Sequence, residues 1–149
     1  MTYKEIVDLL GNIANAHLMI SDWGYGQLSD IKTRAENPTG GADYPYMFIN
    51  PVSGQRNGTV LVWTFNLIMM EVVAQPDDFL KTQSECQQYL DDVLAHLHLH
   101  YQGPQWPNPI LTVTFTPFKE RFQDEVAGMT AVVQIELPAP LNDCITPFA

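Results

Sequence analysis

The chain has 149 residues, 46% of them hydrophobic, with 17 acids against 7 bases and a formal net charge of −10. That is enough chain and enough apolar side chain for one folded domain with its own core, and it excludes a disordered polypeptide. The bases Lys4, Lys32, Arg34, Arg56, Lys81, Lys119 and Arg121 are scattered, so the sequence carries no clustered basic surface for nucleic acid.

Residues 3–20 carry Ile6, Leu9, Leu10, Ile13 and Ile20 at helical spacing. Thr2 stands as N-cap and Glu5 three residues on, the capping-box pattern. His17 falls in the same stripe and reads as a core-edge histidine. "DWGYGQLSDIKT" interleaves aromatics with glycine and predicts a strand over roughly 25–33. "RAENPTGGAD" is a loop. "YPYMFINPV" is a strand that Pro45 starts or places on an edge, because proline cannot donate to a ladder. "SGQRNGT" is a turn. Thr59–Ala74 is the longest expected strand. Leu61, Trp63, Phe65, Leu67 and Met69 face one way, and Val60, Val62, Ile68, Met70 and Val72 the other. Sixteen residues would reach ~50 Å, so this strand has to bend, bulge or project. With both faces apolar, one is left for another subunit to cover.

A second helix follows Asp77 or Asp78, which cap its positive end, and stops at Gly103-Pro104. "NPILTVTFTPF" alternates apolar residues with Thr112, Thr114 and Thr116, a strand with one wet face. "KERFQDEVAG" connects it to a last strand, "MTAVVQIELP". The order α-β-β-β-α-β-β predicts an α+β domain over 1–149: an antiparallel or mixed sheet with two helices packed on one face. A long β-hairpin at about 44–74 and a tail at 138–149 complete it. Cys86 and Cys144 are expected to be buried thiols, since no CxxC or zinc spacing is present. No apolar leader and no run of roughly 18 apolar residues occurs, so the expected setting is a cytoplasm without membrane attachment.

"VLAHLHLHY" concentrates His96, His98 and His100. On a helix His96 and His100 share one flank of the apolar stripe, while His98 lies about 160° away. Asp92 aligns with His96 and His100, but Asp92 to His100 spans about 12 Å of helix rise, too far for one ion with ~2 Å bonds. A third ligand would have to come from elsewhere. No HExxH, GxSxG, P-loop or GxGxxG fingerprint is present. The pairs Asp77/Asp78 and Asp91/Asp92 diverge by about 100° and form no acid–base dyad. The expectation is no catalytic centre, no metal and no cofactor.

The segments "GYGQLSDI", "YPYMFINP", "WTFNLIMMEVV", "SECQQYLDDVLAHL" and "PFKERFQDEVAGMTAVVQIELPAPLNDC", in this order, resemble small virion proteins of tailed phages. The likeness is to those infecting Bacteroidota, crAss-like phages included, and to the tail terminator and head–tail connector fold. Glu71 stands where that pattern has Asp more often. The resemblance implies a homo-oligomeric ring, hexameric or dodecameric, between portal and tail. Portal, connector or tail proteins would be its axial neighbours, and DNA would pass without specific binding. The expected localisation is the virion, after assembly in the host cytoplasm. Phe118, Lys119, Glu120, Arg121, Phe122 and Asp124 are the candidate subunit contact, aromatic and Arg anchors rimmed by charge. Glu71, Asp77 and Asp78 are the candidate lumen acids. The alternatives are a small metal-dependent enzyme using His96 and His100, and a non-viral oligomeric interaction module.

Overall fold

The computed structural model describes residues 2–35, 43–73, 75, 78–100, 110–121, 125–139, 141 and 147. Eight elements follow one another: α1 (Tyr3–Ala16), β1 (Asp22–Tyr25), α2 (Leu28–Ala35), β2 (Tyr46–Asn57), β3 (Val60–Val72), α3 (Phe79–His100), β4 (Ile110–Arg121) and β5 (Glu125–Pro138). The strands form one mixed sheet in the order β1-β2-β3-β5-β4. β1 runs parallel to β2 and every other neighbouring pair is antiparallel. The fold is α+β.

α1 begins where the capping box places it. Glu5 N–H donates to Thr2 Oγ1 at 3.2 Å, and Thr2 N–H donates to the Glu5 carboxylate at 2.6 Å, which satisfies two of the donors that a helix start leaves open. Ile6, Val7, Leu10, Ile13 and Ala14 are buried. α3 contributes Cys86, Leu90, Val93, Leu94 and Leu97 to the same core. Both helices lie on the sheet face that carries Met47, Ile49, Phe65, Leu67, Met69, Ala131, Val133, Ile135 and Leu137. Each large side chain fully buried here contributes roughly 1.5–3 kcal/mol relative to an exposed one. Tyr3 lashes the start of α1 to β3: its ring lies 4.7 Å from Trp63 and stacks on Phe65 at 5.9 Å.

The segment read as a strand over 25–33 is not one. β1 ends at Tyr25 and α2 starts at Leu28. Asp30 reaches back to accept the Gln27 N–H at 2.8 Å, half of a capping box built on residues with a weak capping signal. α2 delivers Ile31 to the opposite face of the sheet, where it packs with Tyr46, Phe48, Ile68, Met70 and Val126. This corrects the expectation for β3. Ile68 and Met70 are covered by the chain itself, Val60 and Val62 are half-buried, and Val72 alone is as much as 36% exposed.

The β2–β3 hairpin is longer on its first arm than the sequence suggested. β2 continues to Asn57 through the stretch read as a turn, and only Gly58 and Thr59 lie outside the ladder. Gly58 has φ +62°, and among the described residues only glycines have positive φ. Glycine first and threonine second is the arrangement of a type II′ turn, whose twist suits a hairpin. Val52 is an extra residue between Pro51 and Ser53, a β-bulge that lets Gly54 face Trp63. Pro51 is tolerated because β1 pairs with β2 only as far as Ile49. Likewise "KERFQDEVAG" is mostly strand: β4 runs to Arg121 and β5 starts at Glu125.

Candidate functional site

α1 ends at His17, which closes the last turn by donating its N–H to Ile13 and Ala14 carbonyls. Its imidazole then meets α3. Nε2 lies 2.8 Å from Asp92 Oδ2, and the ring stands edge-on to Tyr89 at 5.6 Å. Met19 N–H donates to Nδ1 at 3.0 Å. An imidazole nitrogen that accepts from an amide carries no proton, so Nε2 carries it and donates to the Asp92 carboxylate. His17, Asp92 and His96 line an open cleft of about 400 Å³ together with Ile13, Ala16, Leu18 and Met19.

The sequence aligned Asp92 with His96 and His100. The structure brings Asp92 to His17, seventy-five residues away, and adds His96 to the same cleft. The signal that could have found this pair is His17 in the α1 stripe together with Asp92 beside the α3 stripe. His100 ends α3. Metal chemistry fits the pair poorly. A neutral imidazole that binds a metal through Nε2 carries its proton on Nδ1, and the Met19 amide already points its own hydrogen there. Among the described residues no group of three His, Cys, Asp or Glu side chains is disposed to hold an ion.

Of the lumen candidates, Glu71 lies on the helix-facing side of β3. Burial, and then the neighbouring Glu85 carboxylate, push its carboxyl above the ordinary range. The same surroundings push the buried Cys86 thiol up to about 12, so it is not a nucleophile at neutral pH. Asp78 is half-buried, and its carbonyl accepts the Thr82 N–H at 2.9 Å as α3 begins. Asp77 lies outside the described residues.

The candidate contact segment sits at the far end of β4. Phe118 is half-buried against the second-face cluster, and its carbonyl accepts Gln83 Nε2 at 3.0 Å. The Lys119 ammonium stands 4.1 Å from the centroid of Phe79, a cation–π contact. Glu120 is exposed, and Arg121 closes the strand. Phe122 and Asp124 lie outside the described residues. α3 thus reaches over β4 at this end. Further along, Thr112, Thr114 and Thr116 are exposed, and among the described residues β4 has no strand on its outer side.

That edge borders a half of the sheet's second face over which no helix lies among the described residues. Val60, Val62, Thr64, Thr130 and Val132 are half-buried there, while Ser53, Gln55 and Gln134 are exposed. α2 covers only the half around Ile31. No helix among the described residues is long and apolar enough to cross a membrane. No protein-family model matches the chain, and no curated protein matches it significantly.

Proposed function

We propose that the chain is a virion structural protein. It forms a homo-oligomeric ring at the head–tail neck or at the tail end, and DNA passes through that ring. One observation carries the reading: among the described residues, half of the second sheet face has no helix over it, and it lies beside a β4 edge with no strand on its outer side. A row of open backbone donors and acceptors is a hazard that a subunit contact removes. A head-to-tail contact whose rotation closes gives a ring.

Completing the burial of the half-buried Val60, Val62 and Val132 contributes about half of the roughly 1.5–3 kcal/mol per large side chain, about 2–4 kcal/mol together. Edge hydrogen bonds add about 0.5–1.5 kcal/mol each. Association costs about 4–15 kcal/mol in lost freedom, so the contact needs both contributions. The chain's charge of −10 suits a conduit, because an acidic wall does not hold duplex DNA. The resemblance to tail terminator and connector proteins supplies the setting.

The test is light scattering after size exclusion, followed by negative-stain imaging. The expected result is a closed ring with a central opening, and its loss in Val62→Lys with the fold intact by circular dichroism. A wild-type protein that stays monomeric at tens of micromolar overturns the reading.

A further inference from the structure

The hydrogen bonds of His17 set a condition on the turn that follows α1. Both ring nitrogens are engaged, and in opposite senses: Nδ1 accepts from the Met19 amide at 3.0 Å, while Nε2 donates to Asp92 at 2.8 Å. We propose that His17 is a proton-operated latch, which fastens the Leu18–Met19 turn against α1 when neutral and releases that turn when protonated.

The imidazolium ion donates from both nitrogens and accepts at neither. A second proton on Nδ1 therefore points one N–H at another, and the Met19 bond is lost. The Asp92 contact responds the other way. It becomes a charge-assisted pair and tightens, so the ring stays on α3 and the turn is the part that gives way. Among the described residues, the ionisable groups that face His17 are Asp92, Tyr89 and His96, all from α3. The rest of the lining, Ile13, Ala16, Leu18 and Met19, carries no ionisable group.

What the latch presents is apolar. Leu18 is 98% exposed and Met19 54%, and both form one wall of the cleft. With His17 neutral, that wall has a fixed shape and the cleft is a preformed surface. With His17 charged, the wall loses its backbone anchor beyond His17, and the same two side chains are presented on a loosened turn. The reading depends on no ring, so its outcome is separate from that of the assembly.

The test is a pair of measurements by nuclear magnetic resonance. Long-range proton–nitrogen spectra at pH 8 read the tautomer, and amide exchange at pH 8 and pH 5, corrected for intrinsic rates, reads the Met19 bond. The expected result is the Nε2–H tautomer at pH 8 and a loss of Met19 protection of about tenfold in acid, with Leu90 protection unchanged. His96→Gln should keep the transition, and His17→Gln should abolish it. An Nδ1–H tautomer at pH 8 overturns the proposal. So does equal Met19 protection at both pH values, or a loss shared by Leu90, which would report general unfolding instead of a latch. The tautomer is read on the folded protein and decides even where the acid form unfolds.

Discussion

Gly128 sits in β5 opposite Met70, at the centre of the sheet. A Cβ added there would lie 1.8 Å from the Met69 carbonyl oxygen, 2.9 Å from its carbon and 3.0 Å from Phe118 Cζ. Non-bonded atoms settle at about 3.5–4.0 Å, so Gly128→Ala demands a separation of more than an ångström between backbones. No side chain can swing away to provide it. β3 is held by β2 on one side and β5 on the other, so neither strand can yield alone. Ladder bonds near 2.9 Å stretched by that amount cease to be bonds. Each buried group left unsatisfied costs about 1–3 kcal/mol, and two such groups give about 4 kcal/mol. Against a typical total of about 5–15 kcal/mol this is a large share. At roughly 2–4 °C per kcal/mol for a chain of this size, the melting temperature should fall by roughly 8–16 °C. Thermal and urea unfolding followed by circular dichroism measure it. Gly58→Ala is the comparison: its added carbon meets nothing within 4 Å, and the strain comes from φ +62° alone, about 1 kcal/mol. A Gly128→Ala protein less destabilised than Gly58→Ala would refute the reasoning.

Three further outcomes follow from groups withdrawn from water. Asn50, 5% exposed, donates to the Gly26 carbonyl at 3.0 Å and accepts from Asn66 at 3.1 Å; Asn50→Ala should cost about 1–3 kcal/mol in urea unfolding. Glu71 has its folded-state pKa raised, so its effect is fully present below the ordinary carboxylate range and lost as pH rises through the folded value. Glu71→Gln should therefore unfold at higher urea than wild type at pH 7, and the difference should close in acid. Cys86 follows the same sign at higher pH, between its ordinary 9.0 and about 12, and its thiol should stay unreactive to a thiol reagent at pH 8 until denaturant is added.

Periodicity was readable where one face of an element is buried and the other wet. Thr2 and Glu5 marked the start of α1, and the stripe Cys86–Leu90–Val93–Leu97 marked the face of α3. It was silent where no face is buried. Ser53–Asn57 is exposed on both sides of β2, so nothing in those residues alternates and they looked like a turn. Lys119, Glu120 and Arg121 place charge on an outer strand, a protective habit of sheet edges that looks like a loop. α2 was missed because Ile31 is its one buried side chain among those described, and a single apolar residue has no period. The histidine–aspartate pair joins the end of one helix to the middle of another, a juxtaposition that only the packing of α1 on α3 creates. The contact segment around Phe118 was read from aromatic and Arg residues rimmed by charge. In this fold Phe118 is half-buried against the second-face cluster, a packing that its charged neighbours in the sequence do not announce.

The order β1-β2-β3-β5-β4 has a consequence for how the sheet assembles. β2–β3 and β4–β5 are each closed by a short connection, so each hairpin has its partners close at hand. β3 and β5 meet only after α3 and β4 have been made, with Val60 against Pro138 and Val72 against Val126. The molecule is two locally specified halves zipped along one seam. The entropy of closing the chain between β3 and β5 is lost at that seam. The Gly58 turn is made before the seam zips, so substitutions there should mainly slow refolding, while those along the seam, Met69 and Ala131 among them, should show more of their effect in faster unfolding.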